Sequence, residues 1–395
     1  MSEPAALSGL LSQVIDHRGK TPKKLGGDFV DEGIEVVSAI HIKSGRIDWA
    51  QRRRFVSREM YERWMPVRLM KDDLLLTSEA PLGEVALVPD DRDLVLSQRL
   101  FALRGNPAIL HTPYLYYYFQ TSEGQSALSG RSSGTTVLGI RQSELLQIRV
   151  LLPPPDQQRR IAKVLGELDD LIDTNERTIC RLGALADEQF KEAQLEGEPK
   201  IFADVVDVFG GGTPSTSKES FWNGDVAWAT PTDLTALRSP YLFGTSKRIT
   251  AEGLRACSSR LNPVGSVLMT SRATIGRIAI TQTPAATNQG FIVLQPRDPE
   301  DRVFFYHELK SRVNEFISRA NGSTFLEISR GTFKSLSVNW PSAEARLKLH
   351  SLLAPLHDAA IDLEVENAML RRTRDELLPL LMSGKVRVRP AEDAA

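Results

Sequence analysis

The sequence is poor in the residues that chemistry usually recruits. Its two cysteines, Cys180 and Cys257, have neither metal nor redox spacing, which argues against a disulfide scaffold or a CxxC centre. No glycine-rich loop ends in Lys-Ser/Thr, and no HExxH occurs, so the phosphate-cradling and zinc-hydrolase signatures are missing. Gly210-Gly211-Gly212 lacks the strand, turn and helix context of a nucleotide site and reads as a flexible turn. An Asn/Asp-Pro-Pro-aromatic motif, which an amino-methylating DNA enzyme needs to hold a flipped base, is absent; Asn262-Pro263-Val264-Gly265 fails at two positions. Pro89-Asp90 opens like a nuclease motif, but no Asp/Glu-x-Lys follows within reach. The histidines, His17, His41, His111, His307, His350 and His357, are scattered. No apolar run approaches the ~18 residues of a membrane span. The first residues, MSEPAALSGLLSQVID, carry no basic region ahead of a cleavable apolar core. The expectation is a cytoplasmic protein that catalyses nothing alone, binds no metal and carries no cofactor of its own.

Net charge is nearly absent too, at -1. Its distribution is uneven: residues 1–152 hold 19 basic and 18 acidic side chains and 198–340 hold 16 and 13, against 6 and 10 in 153–197 and 8 and 9 in 341–395. Any nucleic acid would therefore be held by local patches on the first and third segments rather than by a global field.

What the sequence does have is a narrow apolar stripe, written twice. After Pro153-Pro154-Pro155-Asp156, which suit a helix entry, the positions Ile161, Leu165, Leu168, Ile172, Asn175, Ile179, Leu182 and Ala186 form a heptad seam on a charged helix. Gly197 and Pro199 stop it. A shift of 188 gives Leu349, Leu353, Leu356, Ala360, Leu363, Asn367, Leu370 and Arg374, on a helix expected from about Pro341 to Gly384. A seam so thin asks for one partner helix, and each supplies the other. The pair would make a rod of roughly 50 Å. Asn175 and Asn367 would face each other in an antiparallel pairing and fix its register. Pro355 falls inside the second helix, which either kinks there or begins at Leu356.

The segments between also repeat. Gly19-Lys20-Thr21-Pro22 recurs as Gly211-Gly212-Thr213-Pro214, Leu75-Leu76-Thr77-Ser78-Glu79-Ala80 as Leu268-Met269-Thr270-Ser271-Arg272-Ala273, and Gly134–Ile140 as Gly322–Ile328. A period near 190 residues means a duplicated domain. Asp73–Thr77, Glu84–Val88, Val267–Thr270 and Arg277–Thr281 read as strands; Tyr114–Phe119 and Val303–Leu309 read as helices, their tyrosines serving as core. The fold class is α/β: two similar mixed α/β domains, 1–152 and 198–340, separated by long helices at 153–197 and 341–385 packed as an antiparallel coiled coil, with a tail at 386–395.

These residues resemble a known family. Leu152-Pro153-Pro154-Pro155, Gln158, Ile161-Ala162, Leu165, Leu168-Asp169-Asp170 and Ile172, the Thr-Pro turns, the Thr-Ser-x-Ala stretches and the ending Leu377-Leu378-Pro379-Leu380-Leu381-Met382-Ser383-Gly384 are similar to the specificity subunit of type I restriction-modification systems. The resemblance implies two target-recognition domains, each reading half of a split sequence in double-stranded DNA, with the helix pair as spacer. It implies two methylation subunits docked on this chain, holding S-adenosylmethionine, and restriction subunits joining through the complex. Reading bases takes Arg, Lys, Asn or Gln, while phosphates also accept Ser and Thr. The loop residues with that chemistry are Thr21, Lys23, Lys24, Lys43, Arg46, Arg52, Arg53, Arg54 and Arg131 in the first domain, and Thr213, Ser215, Lys218, Lys247, Arg248, Arg272, Asn321 and Ser323 in the second. Because the domains differ most in these loops, the half-sites should be unlike. The rival readings are a diverged DNA methyltransferase or nuclease acting by itself, and an interaction protein whose duplicated domains bind peptides or RNA.

Overall fold

The computed structural model describes residues 4–134, 138–272, 274–322 and 326–389. The chain divides into two compact units, 1–172 with 369–395, and 173–368. Each contains one α/β domain and a stretch of both long helices.

In unit 1 the central sheet has the order Leu11–Asp16, Leu100–Gly105, Leu74–Thr77, Val85–Leu87, antiparallel throughout. Every residue of Leu74–Thr77 is buried, because the sheet is covered on both faces. Leu74, Leu76, Phe101 and Leu103 point to one side, where the helix Thr112–Gln120 contributes Tyr114, Leu115, Tyr117 and Phe119. Leu75, Ala86, Leu100 and Ala102 point to the other, onto Val36, Val95, Tyr61 and Trp64. The period of two along each strand thus serves two cores. Val36 and Val95 belong to a smaller sheet, Phe55–Val56, Ile34–Val37 and Leu94–Leu96, whose last two strands run parallel.

Unit 2 repeats this plan. Asp207–Gly210, Phe291–Gln295, Val267–Thr270 and Ile278–Thr281 lie in the same order, and Tyr241–Leu242 adds a parallel edge strand. Its smaller sheet is Lys247–Ile249, Trp222–Ala229 and Ala285–Thr287, again with the last two parallel. The helix Arg302–Ser311 matches Thr112–Gln120. The buried tyrosines of the latter, Tyr114, Tyr116 and Tyr117, are core residues, with no stacking face free.

Gly210-Gly211-Gly212 is a place of close approach rather than a flexible turn. A Cβ on Gly211 would stand 2.2 Å from the carbonyl oxygens of Thr287 and Asn288, and one on Gly212 2.4 Å from Ser258 Oγ. Only a residue without a side chain lets these backbones meet.

The long helices run Pro155–Glu192 and Ala343–Met382. Asp156 sits in the first turn of one, and Ser342 Oγ accepts the Ala345 N–H (3.2 Å) at the start of the other. Gly384, at φ 74°, lies just beyond Met382 and allows the left-handed exit. The second helix passes through Pro355 without restarting at Leu356. Pro355 is exposed while Leu353 is fully buried, so a cost of about 3 kcal/mol is set against seam burial on the opposite face.

Within unit 1, Ile161, Leu165 and Ile172 are buried, Leu168 is half-buried, and the first two share a core with Leu378 and Leu381. Arg374 Nη1 donates to Asp169 Oδ1 at 2.7 Å, so the helices run in opposite directions here. Within unit 2, Ile179, Ala186, Leu349, Leu353 and Ala360 are buried and Leu182, Leu356 and Leu363 half-buried. Asn175 Nδ2 donates to Asn367 Oδ1 at 3.1 Å and to Glu366 Oε2 at 2.9 Å, while Asp187, further along the first helix, is linked through His307 to His357, earlier on the second, again an antiparallel pairing. The stripe is wider than a two-helix seam requires. Ala162 and Leu165 join the cluster of Tyr114 and Tyr117, so the helix buries its domain's apolar surface as well as its partner's. No described helix is long and apolar enough to cross a membrane.

Candidate nucleic-acid interface

Strand register brings the repeated loops to one end of each central sheet. In unit 1, Asp16 pairs with Phe101 and Thr77 with Leu100, so the exits of two strands and the entry of the third lie side by side. The Ser78 N–H donates to Arg99 O and the Ile140 N–H to Ser78 O, both at 2.9 Å, while Ser133 and Gly139 exchange backbone bonds of 2.8 and 3.0 Å. Unit 2 has the same set: Ser271 N–H to Gly290 O (2.9 Å), Ile328 N–H to Ser271 O (3.0 Å), and Asn321 with Glu327 (3.0 and 2.9 Å). Gly134 and Gly322 turn the loop at φ 124° and 135°, which a side chain would strain. The Thr-Pro turns reach the same end. Gln98 Nε2 donates to Lys20 O (2.8 Å), and Thr213 Oγ1 donates to Gln289 Oε1 (2.5 Å).

Thr21, Lys23, Lys24 and Arg131 therefore lie on loops of one such end, and Thr213, Arg272 and Asn321 on those of the other. Lys23 and Lys24 are exposed on a short turn. Arg131 is engaged by Glu144 (3.2 Å) and Gln147 (3.0 Å). Ser215 shares a hydrogen bond with Ser217 (2.9 Å), and Lys218 donates to Glu252 (3.1 Å) while lying over the Phe221 ring. Ser323 lies outside the described residues.

The remaining basic residues stand on other elements. Lys43 and Arg46 belong to the hairpin Ile42–Lys43 and Arg46–Ile47, tied to the helix Thr112–Gln120 where Tyr116 Oη donates to Gly45 O (2.8 Å). Arg52, Arg53 and Arg54 are exposed and lead into the edge strand Phe55–Val56; Arg53 Nη2 donates to Glu35 (3.0 Å) and Arg54 covers the Phe29 ring. Lys247 and Arg248 lie on the edge strand of the smaller sheet, where Arg248 Nε donates to Gly224 O (3.1 Å).

Two histidines that the sequence scatters meet in unit 2. Tyr241 Oη lies 3.0 Å from His357 Nδ1, His357 Nε2 2.9 Å from His307 Nε2, and His307 Nδ1 3.0 Å from Asp187 Oδ1; Lys310 Nζ donates to the other Asp187 oxygen at 2.7 Å. With both rings neutral every donor in this row finds an acceptor: the phenol gives to His357, His357 to His307, and His307 to the carboxylate. Burial, then the neighbouring His307, pushes His357 down to about 3. Burial works against the Asp187 carboxylate, but the bonds from His307 and Lys310 outweigh it and hold it below its ordinary range. The row ties the domain's helix Arg302–Ser311 and edge strand to the long helices within this unit. No group of three or more His, Cys, Asp or Glu that could hold a metal occurs among the described residues.

A sequence profile described as the type I restriction modification DNA specificity domain matches the chain twice, at residues 11–182 and 198–367. The specificity subunit of the type I restriction enzyme MjaIX from Methanocaldococcus jannaschii is 34% identical over 196 residues, 48% of this chain and 45% of that protein. The HindI specificity subunit of Haemophilus influenzae is 25% identical over 192 residues, 48% of this chain and 41% of that protein. The chain thus matches less than half the length of either relative. The S subunit of a type I restriction-modification system from M. genitalium shares the fold, with a TM-score of 0.61 and 18% identity over 96% of each chain.

Proposed function

Because the chain belongs to the type I restriction-modification DNA specificity family, we propose that it is the non-catalytic sequence reader of such a complex. Each unit reads one half of a bipartite target in double-stranded DNA. The long helices set the distance between the half-sites and carry two methylation subunits, which hold S-adenosylmethionine and modify adenine; restriction subunits join through that assembly.

The observation that supports this reading most is that one sheet end is built twice with the same hydrogen bonds but different side chains. A common frame with variable loops is what two readers of unlike sequences require. The loop chemistry agrees, since lysine, arginine, threonine and asparagine suit phosphates and base edges. The test is to map modified adenines in DNA from cells that express the chain with its methylation partner. The expected motif is split into two unlike halves, and exchanging residues 205–336 for those of a relative should alter one half alone. A continuous motif, or a change in both halves, would count against the proposal, as would methylation by the purified chain without a partner.

A further inference from the structure

The two sheet ends share a frame but not a charge pattern. Leu100 pairs with Thr77 as Phe291 pairs with Thr270. One residue before each, Arg99 in unit 1 therefore corresponds to Gly290 in unit 2, and two residues after each threonine Glu79 corresponds to Arg272. Asp16, paired with Phe101, likewise corresponds to Gly210, paired with Ile292.

In unit 1 these positions make two ion pairs. Arg99 Nε lies 2.9 Å from Glu79 Oε1, and Arg18 Nε donates to Asp16 Oδ2 at 2.8 Å. In unit 2 the positions of Arg99 and Asp16 are held by Gly290 and Gly210, and an arginine occupies the room beside each. Arg272 Nε is 3.2 Å from where a Cβ on Gly290 would stand, and Arg330 Nη1 is 3.1 Å from where one on Gly210 would stand. Neither guanidinium has an ion pair among the described residues. Glu327 faces Arg272 across a backbone bridge but forms no ion pair with it among those residues.

An arginine held by a carboxylate must give up that partner, or bring the negative charge along, when it meets a phosphate. An unpaired one simply releases a counterion from the duplex. Resting on the reading of the chain as a DNA reader, we infer that Arg272 and Arg330 of unit 2 each take a duplex phosphate directly, at sheet-end positions where unit 1 holds its charges in ion pairs. The matching pairs of unit 1, Glu79 with Arg99 and Asp16 with Arg18, contribute little to the salt dependence, and any such contribution from unit 1 comes from its neighbouring exposed Lys23 and Lys24.

The experiment is a set of anisotropy titrations of the full chain with a labelled mixed-sequence duplex at salt from about 50 to 200 mM. Replacing both arginines (Arg272→Gln with Arg330→Gln) should lower the slope of log affinity against log salt by about 1.8, since each phosphate contact contributes about 0.9. The conservative pair Arg272→Lys with Arg330→Lys should keep the slope, which separates lost charge from lost folding. The neutral exchange Glu79→Gln with Arg99→Gln should leave it unchanged. A glutamine pair with the wild-type slope, or an equal fall in the unit 1 variant, overturns the inference while leaving the DNA reading intact. A wild-type chain that does not bind the duplex, or binds it without salt dependence, overturns the DNA reading itself.

Discussion

Acid should loosen unit 2, and one imidazole, His357, should carry a separable share of the loss. His357 is 4% exposed, and its folded pKa is about 3, lowered first by burial and then by His307. Unfolded, it returns to about 6.5. Between those values the unfolded chain binds a proton that the folded chain refuses, so stability is fully present above pH 6.5 and falls as the pH drops towards 3. The slope from this group is about 1.4 kcal/mol per pH unit, and its sum over the window is on the order of 5 kcal/mol. The suitable comparison is His357→Gln, whose amide can accept from Tyr241 and donate to His307 without titrating. Hydrogen exchange of the Val303–Leu309 amides, corrected for intrinsic rates and followed from about pH 6.5 to 4, measures opening of this unit alone. Glu308 and Asp301, held above their ordinary values mainly by burial, are present in both proteins and cancel in the difference. Wild type should lose protection more steeply than the variant by about 1.4 kcal/mol per pH unit. Parallel loss in the two proteins would show that His357 is not held neutral in the folded unit.

Two further outcomes follow from the packing. Asn175→Leu alone leaves the fully buried Asn367 amide without its donor and should cost about 1–3 kcal/mol in thermal or urea unfolding; adding Asn367→Leu should recover much of that loss, giving a double-mutant coupling of about 0.5–3 kcal/mol. Gly211→Ala drives a methyl into the Thr287 and Asn288 carbonyls and should destabilise unit 2 by roughly 1–3 kcal/mol or more, whereas Gly19→Ala, at φ 81° in open space, should cost only about 1–2 kcal/mol, both read from the same unfolding curves.

Much of the frame was legible because it is written twice. The strand pair before and after Gly83 and its copy around Gly276 are short apolar runs with a turn between, and they fold as Leu74–Thr77 with Val85–Leu87 and as Val267–Thr270 with Ile278–Thr281. The helix limits were legible from prolines and glycines to within a few residues. Where the second helix begins was not, because a proline penalty and a buried seam are of similar size and only the fold decides between them. Nor could the sequence show that the Thr-Pro turn, the Thr-Ser loop and the Ser133–Gly139 loop meet, since sheet order departs from chain order. The contact of His307 with His357 spans 50 residues, and that with Asp187 spans 120; no local spacing announces it. The exchange of Glu79 for Arg272 was visible in the repeat, but its meaning came only with Gly290 beside it.

Each domain is also fastened where it opens and closes. Pro4–Ala6 is zipped to Arg149–Leu151, and Gly197–Ile201 to Ser337–Pro341, just before a long helix departs in each case. Such a clasp makes everything between its strands a cassette, with its two ends held a strand's width apart whatever the intervening loops become. Recombination breakpoints placed in the clasps would trade one cassette for another while the helical stems keep their own contacts, so under the proposed reading new specificities need not be reached one substitution at a time.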